Sequence, residues 1–308
     1  MQTRRVRQAS QNKIGLVQLR LEQKMRNKIG VVGAGMMGAE IALAFALVGN
    51  DVLLSDRDQQ GLDGALDRLR SLMEKGVNRG FYKADEIEPT LARIAKTTNI
   101  ADFADREFVT EAVFEELDVK SEVLKALDDI CSAECIFASN TSTIPISTLA
   151  GLVSAERRAN FIGTHYFSPV SRMKLVEVIP GFETSEDIVA STMDIMTSIA
   201  KTPVRVKDVT GFLINRVLHM FFIEAIKLVE EGVATPEDID TACKLGLGHP
   251  VGPFALMDVT TLSLGLQAQE IMHEAYGERF RPPALLKQMV RAGYVGGKGK
   301  PGWLSDGD

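Results

Sequence analysis

Runs of hydrophobic residues and stretches with helical spacing alternate along the first two thirds of the chain. Short runs rich in apolar and β-branched residues, which predict buried strands, begin near residues 28, 52, 93, 107, 136, 161 and 174. Between them, apolar residues recur at helical spacing, first at Leu62, Leu66, Leu69 and Leu72 and again over 119–130. This alternation predicts a mostly parallel, doubly wound sheet, in which ligands sit at the carboxyl ends of the strands.

The pattern changes after residue 206, and no further strand is predicted beyond residue 210. Apolar positions at helical spacing predict a helix that opens at Thr210-Gly211. Thr235-Pro236, followed by two acidic residues, is a typical helix start. Further helices are predicted from about residue 254 to 276 and from 284 to 293. The chain is therefore predicted to be α/β, with a nucleotide-type sheet domain over 27–208 and an all-α domain over 209–308.

A glycine-rich turn joins the first predicted strand to the first predicted helix. It reads Gly33-Ala34-Gly35-Met36-Met37-Gly38. Gly33 permits the tight turn, Gly35 lets the backbone approach a pyrophosphate, and Gly38 lets helix and strand pack closely. The helix N-terminus offers free N–H groups to phosphates, and Asp56, at the end of the second strand, can accept hydrogen bonds from an adenine ribose. The unit predicts a Rossmann-type site. Asp56 favours NAD over NADP, because its carboxylate would repel the 2′-phosphate of NADP. Arg57, the next residue, is the one feature that argues against this preference.

Candidate catalytic groups lie near the ends of later predicted strands. The polar stretch Ser139–Thr143 leaves a strand, but a helix cap and turn would explain its composition equally well. His165 ends the strand that begins at residue 161, and Glu177 lies within an otherwise apolar strand. A carboxylate is rarely buried without a partner, so a neighbouring strand could bring Glu177 to His165. That pairing would fix the imidazole tautomer and raise its basicity, which beside a nicotinamide site is the chemistry of alcohol dehydrogenation.

Composition narrows the class of protein. The 308 residues suffice for two domains, and a net charge of −6 argues against a general nucleic-acid binder. No apolar run reaches the ~18 residues that a membrane span needs. The three cysteines show neither metal spacing nor a disulfide framework, which fits a reducing, cytoplasmic compartment and no metal.

Residues 1–26 carry seven basic residues and one acid. They are either a transit segment or, as we favour, a disordered or non-native extension before a working start at Met25.

Several motifs in order resemble the 3-hydroxyacyl-CoA dehydrogenase family, over about residues 28–303. These are GAGMMG, SNTS, HYFSPV, MKLVEV, GFLINR and GHPVGPF. The resemblance implies NAD-dependent oxidation of an (S)-3-hydroxyacyl-CoA to the 3-ketoacyl-CoA and the reverse. A short-chain substrate such as 3-hydroxybutyryl-CoA is expected, in β-oxidation or butanoate metabolism. The resemblance also implies a homodimer with an acyl-CoA as its partner, and neither nucleic acid nor a membrane span.

The same resemblance implies roles for individual residues. His165 is the implied general acid/base, Glu177 orients it, and Ser142 and Asn215 contact the substrate oxygen. The implied cofactor residues are Gly33, Gly35, Met36, Met37, Gly38, Asp56, Glu115, Lys120 and Asn140. Lys75 and Arg79, after the second helix, either meet a CoA phosphate or form a solvated face. Ser168 and the segment Thr260–Ser263 depart from the family pattern, which leaves the acyl chain length open.

Two other functions are compatible with the sequence. One is a dehydrogenase of a free hydroxy acid or sugar acid. The other is a non-catalytic, crystallin-like relative that kept the NAD-binding fold. The complete set of Ser142, His165, Glu177 and Asn215 argues against the second, because a recruited scaffold need not keep all four.

Overall fold

A computed structural model of the chain describes residues 28–305. The predicted extension over 1–26 lies outside the described residues. The chain divides between Asp208 and Val209 into two compact units. Within the described residues, the first unit contains every strand, and the second contains only helices and loops. The predicted fold class, a parallel α/β domain followed by an all-helical domain, is confirmed.

One sheet of eight strands forms the centre of the first unit. Its strands are β1 (Lys28–Val32), β2 (Asp51–Ser55), β3 (Ile94–Thr97), β4 (Phe108–Glu111), β5 (Ile136–Ser139), β6 (Phe161–Tyr166), β7 (Leu175–Pro180) and β8 (Thr202–Arg205). The order across the sheet is β3-β2-β1-β4-β5-β6-β7-β8. Strands β1 to β6 are parallel, and β7 and β8 run the opposite way. All seven predicted strands are present, and β8 is an addition to them.

Helices cover the sheet and bury an apolar core. They are α1 (Met36–Leu47), α2 (Gln59–Val77), α3 (Ile87–Leu91), α4 (Leu117–Ile130), α5 (Ile146–Ala150), α6 (Ala155–Arg158) and α7 (Glu186–Ser198). Helix α1 is buried along most of its length, and Ile41 and Phe45 contribute to the core beneath it. The predicted leucine stripe on α2 also faces this core: Leu62 and Leu69 are fully buried, with Leu66 and Leu72 packed beside them.

The second unit is built from five α-helices within the described residues. These are α8 (Ile214–Glu230), α9 (Pro236–Gly246), α10 (Pro253–Thr260), α11 (Leu262–Tyr276) and α12 (Ala284–Arg291). Two predicted helix bounds were wrong, because residues with positive φ angles interrupt the helix at each place. Helix α8 begins at Ile214 and not at Thr210, because Gly211 and Phe212 have φ angles of 71° and 45°. The predicted stretch 254–276 is two helices, because Thr261 has a φ of 73°. Residues in the left-handed region cannot continue a right-handed helix.

Within residues 28–305, no helix combines the length and apolar character needed to cross a bilayer.

Candidate active site

The glycine-rich turn between β1 and α1 has the shape that a dinucleotide needs. Gly33 has a φ of 104°, and a Cβ there would lie 2.5 Å from the carbonyl oxygen of Ala112. A Cβ on Gly38 would lie 1.9 Å from the carbonyl oxygen of Gly33, so only glycine fits either position. A Cβ on Gly35 would meet nothing within 4 Å, and no side chain caps the helix at this residue. No side chain of the described residues therefore caps the N-terminus of α1, which leaves its first N–H groups available to a pyrophosphate.

Asp56 lies at the end of β2 and holds this turn in place. Its Oδ2 accepts a hydrogen bond from the Ala34 N–H at 2.6 Å, and its Oδ1 accepts one from the Arg57 N–H at 2.7 Å. Each carboxylate oxygen has more than one lone pair, so Asp56 can still accept from ribose hydroxyls. The Arg57 guanidinium lies over the Phe114 ring, 5.9 Å from its centroid. These residues fit the adenosine half of NAD.

The antiparallel pairing of β6 and β7 places His165 opposite Glu177. The Nδ1 atom of His165 lies 2.7 Å from Oε2 of Glu177, and Nε2 lies 3.1 Å from Oγ of Ser142. Glu177 is fully buried and His165 is 5% exposed. The sequence prediction that a neighbouring strand brings the carboxylate to the imidazole is therefore confirmed.

The direction of these contacts fixes which nitrogen can act as a base. A carboxylate only accepts hydrogen bonds, so Nδ1 of His165 carries the proton that it donates to Glu177. Nε2 then presents a lone pair toward Ser142, whose hydroxyl can donate to it. The Phe167 ring packs at 4.7 Å from the imidazole, centroid to centroid, and limits its rotation. The arrangement can take a proton from a hydroxyl placed beside Ser142.

Glu115 holds the loop that carries Ser142. Its Oε1 accepts from the Ser142 and Thr143 N–H groups at 2.8 and 2.9 Å, and from the Thr141 hydroxyl at 2.5 Å. Burial raises the pKa of Glu115, but the Lys120 ammonium, the Thr141 hydroxyl and the two N–H groups outweigh it. The net effect is a pKa below the ordinary value, so Glu115 stays an acceptor for these loop donors.

A second carboxylate, Glu111, lies beneath this loop, and sequence reasoning did not assign it a role. It ends β4 opposite Ser139, which ends β5. Glu111 accepts from the Lys120 ammonium at 2.7 Å and from the Ser139 hydroxyl at 2.6 Å. All three residues are at most 1% exposed. The rule that singled out Glu177, a carboxylate in an apolar strand, would also have found Glu111.

The remaining predicted site residues are less closely linked. Asn140 lies between the ends of β5 and β6, where its Oδ1 accepts from the Tyr166 N–H at 2.9 Å. Asn215 is the second residue of α8 in the second unit, and it is half-buried. Lys75 and Arg79 are exposed at and just beyond the C-terminal end of α2. In the part of the chain that is described, neither side chain makes a hydrogen bond or an ion pair.

Comparison with known proteins connects this geometry with one family. The model of the "3-hydroxyacyl-CoA dehydrogenase, NAD binding domain" matches residues 28–209. That of the "3-hydroxyacyl-CoA dehydrogenase, C-terminal domain" matches residues 211–306. The chain belongs to the 3-hydroxyacyl-CoA dehydrogenase family. The resemblance seen in the motifs is thus confirmed, and the protein is an oxidoreductase whose family binds NAD.

Three similar proteins align with the chain over almost their whole length. A Deinococcus radiodurans protein named "Probable 3-hydroxybutyryl-CoA dehydrogenase" is 41% identical, with 90% of this chain and 99% of the relative covered. A Clostridioides difficile 3-hydroxybutyryl-CoA dehydrogenase is 38% identical, with coverage of 90% and 98%. The crystal structure of (S)-3-hydroxybutyryl-CoA dehydrogenase from Ralstonia eutropha is similar at a TM-score of 0.85 and 36% identity, covering 90% of this chain and 98% of the other.

Proposed function

We propose that this dehydrogenase interconverts (S)-3-hydroxybutyryl-CoA and acetoacetyl-CoA, with His165 as the general acid/base. The observation that supports this role of His165 is that one ring nitrogen contacts the Ser142 hydroxyl and the other contacts the Glu177 carboxylate. The observation that supports the short acyl chain is that the three similar proteins described above are all named as 3-hydroxybutyryl-CoA dehydrogenases.

In the proposed reaction, the substrate hydroxyl lies beside Ser142 and within reach of His165 Nε2. NAD, when bound, supplies the acceptor for the hydride that leaves carbon 3 of the substrate. Nε2 takes the hydroxyl proton, while Glu177 stabilises the imidazolium through Nδ1. Ser142 holds the substrate oxygen, and Asn215 is assigned the same task on the family resemblance alone. In the reverse direction the imidazolium returns the proton to the ketone oxygen.

The choice of a CoA thioester over a free acid, and of a short chain over a long one, is tested by one assay. We expect NADH oxidation, followed by the fall in NADH absorbance, to be fastest with acetoacetyl-CoA, slower with longer 3-ketoacyl-CoAs and negligible with free acetoacetate. Comparable kcat/KM for free acetoacetate would contradict the thioester. Higher kcat/KM for long chains would contradict the short-chain assignment.

We also propose that the enzyme is a cytoplasmic homodimer acting in β-oxidation or butanoate metabolism. Large apolar side chains remain exposed in the second unit, and a partner would cover them: Leu213, Val217, Met220, Leu245, Leu247, Val259 and Leu264. Light scattering coupled to gel filtration should give twice the chain mass of 33.7 kDa. A mass of one chain at micromolar concentration would contradict the dimer.

A further inference from the structure

We propose that Cys131 and Cys135 form a reversible oxidation site, at which a hydroperoxide joins the two thiols in an intramolecular disulfide. The two cysteines stand at the ends of the loop between α4 and β5. This loop precedes β5, whereas Ser142 follows it, so the oxidation site lies at the other end of the strand from the candidate active site. The inference therefore does not depend on the proposed function.

One buried guanidinium folds this loop and holds the two cysteines close together. Arg157, which is 4% exposed, donates to the Cys131 carbonyl at 3.0 Å and to the Cys135 carbonyl at 2.9 Å. The same guanidinium donates to the Ser132 carbonyl at 2.6 Å, and that carbonyl also accepts from the Cys135 N–H at 3.1 Å. In the turn that results, the two thiols lie within hydrogen-bond reach of each other. The sulfur atoms therefore need little movement to form a bond.

The surroundings of Cys131 suit it for the attack on the oxidant. Cys131 is 8% exposed and Cys135 is 1% exposed, so a small oxidant reaches Cys131 first. A hydrogen bond from the Cys135 thiol lowers the pKa of Cys131. The Arg157 and Arg106 guanidinium groups lower that pKa further, against the opposing effects of burial and the Asp128 carboxylate. Because the thiolate is the nucleophile in thiol oxidation, we assign the attack on the peroxide to Cys131.

Cys135 is suited to the second step, the resolution of the oxidised thiol. The hydrogen bond to Cys131, burial and the negative charge of the Cys131 thiolate raise the pKa of Cys135, with a smaller contribution from Glu107 and opposition from Arg157. Cys135 therefore stays protonated until Cys131 has reacted. Conversion of Cys131 to a neutral sulfenic acid removes the neighbouring negative charge, and Cys135 then lies beside the sulfur that it attacks.

The proposed reaction reduces the hydroperoxide and oxidises the two thiols. The Cys131 thiolate attacks the terminal peroxide oxygen, an S–O bond forms as the O–O bond breaks, and the released alkoxide or hydroxide takes a proton from water. The Cys135 sulfur then attacks the sulfur of the sulfenic acid. The S–S bond forms, the S–O bond breaks, and the thiol proton leaves with the hydroxyl group as water. This resolution spares Cys131 from irreversible oxidation to a sulfinic acid, and cellular dithiols can reduce the disulfide.

The test treats the reduced full-length enzyme with an equimolar amount of hydrogen peroxide. Free thiols are then alkylated in denaturant, and the cysteine peptides are measured by mass spectrometry. We expect alkylation of Cys131 and Cys135 to be lost together, in a peptide that is lighter by two hydrogen atoms. Dithiothreitol should restore the alkylation of both. A wild-type enzyme that keeps both thiols free would overturn the inference, and this measurement needs no substitution.

Cys243, on α9, is the internal control in the same experiment. It is 9% exposed, about as buried as Cys131, but burial and the Asp240 carboxylate raise its pKa. Cys131 should react at least about tenfold faster than Cys243, because the thiolate fraction rises about tenfold when the pKa falls by one. Oxidation of Cys243 ahead of Cys131 would contradict the proposed site.

Matched serine substitutions separate the attacking thiol from the resolving thiol. In Cys135→Ser, Cys131 should stop at a sulfenic acid that dimedone traps, and excess peroxide should carry it on to a sulfinic acid. In Cys131→Ser, Cys135 should stay reduced, because its attacking partner is gone. Cys243→Ser should match wild type in the loss of the other two thiols. Unchanged oxidation of Cys135 in Cys131→Ser would overturn the assigned roles.

Discussion

A buried histidine in the helical unit should make the stability of that unit depend on pH. His219 lies on α8, is 6% exposed and packs edge-on against Phe222 at 5.7 Å between ring centroids. Its Nδ1 has no hydrogen-bond partner among the described residues. Burial lowers the pKa of His219 from 6.5 to about 4. We expect His219→Leu, which removes the titrating group and fills a similar volume, to abolish this part of the pH dependence.

The magnitude follows from the difference between the two pKa values. Because the folded pKa is depressed, the unfolded chain binds a proton below pH ~6.5 that the native protein does not bind until pH ~4. The contribution of the neutral His219 side chain to the free energy of unfolding is therefore fully present above the unfolded pKa. It is lost as the pH falls toward the folded pKa. The difference of about 2.5 between the two pKa values corresponds to about 3 kcal/mol of unfolding free energy, of which about 2 kcal/mol disappears between pH 7 and pH 5.

Urea unfolding at pH 7 and pH 5 measures this loss. Trp303 is the single tryptophan and packs on Phe254 in the same unit, so its fluorescence reports unfolding there. Between pH 7 and pH 5, the free energy of unfolding should fall by about 2 kcal/mol less in His219→Leu than in wild type. The control is His249→Leu, which replaces an exposed histidine of the same unit and should behave as wild type. An equal pH dependence in His219→Leu and wild type would refute the reasoning.

Two further predictions concern the cofactor and the CoA moiety. Asp56→Ala should raise the KM for NADH about 10- to 100-fold and reduce the preference for NADH over NADPH, because hydrogen bonds from ribose hydroxyls to a carboxylate contribute ~1.5–3 kcal/mol each. A wild-type enzyme that prefers NADPH in initial rates would contradict this role. Lys75→Ala combined with Arg79→Ala should raise the KM for acetoacetyl-CoA about two- to tenfold, more at low salt, since exposed charges contribute little. An unchanged KM would remove both residues from CoA binding.

The parts of the fold that depend on local pattern could be predicted from the sequence. The turn from Gly33 to Gly38 and the acid at Asp56 predicted the first β-α-β unit, because each residue there has a local steric or chemical reason. The antiparallel direction of β7 could not be predicted from local sequence pattern. It depends on tertiary pairing, and only Glu177, a carboxylate in an apolar strand, indicated that β7 lies beside His165.

Backbone conformation and long-range contacts account for what was missed. Thr261 ends α10 through a positive φ that its residue type does not predict. Glu111 and Lys120 are nine residues apart along the chain, and a helical lysine is ordinarily solvated. Their burial follows from the packing of α4 against β4. The ion pair between them therefore emerges only in three dimensions.

The assignment of His165 and Glu177 as one catalytic unit can be decided by a double-mutant cycle on kcat. The assay uses acetoacetyl-CoA and NADH at fixed pH, with circular dichroism to verify that each variant is folded. His165→Ala should reduce kcat about 10²- to 10⁴-fold, and Glu177→Gln should reduce it less. The double variant should be little worse than His165→Ala, with modest changes in KM, because Glu177 acts only through the imidazole. Fully additive losses, or a folded His165→Ala enzyme within a few-fold of wild type, would mean that the base lies elsewhere.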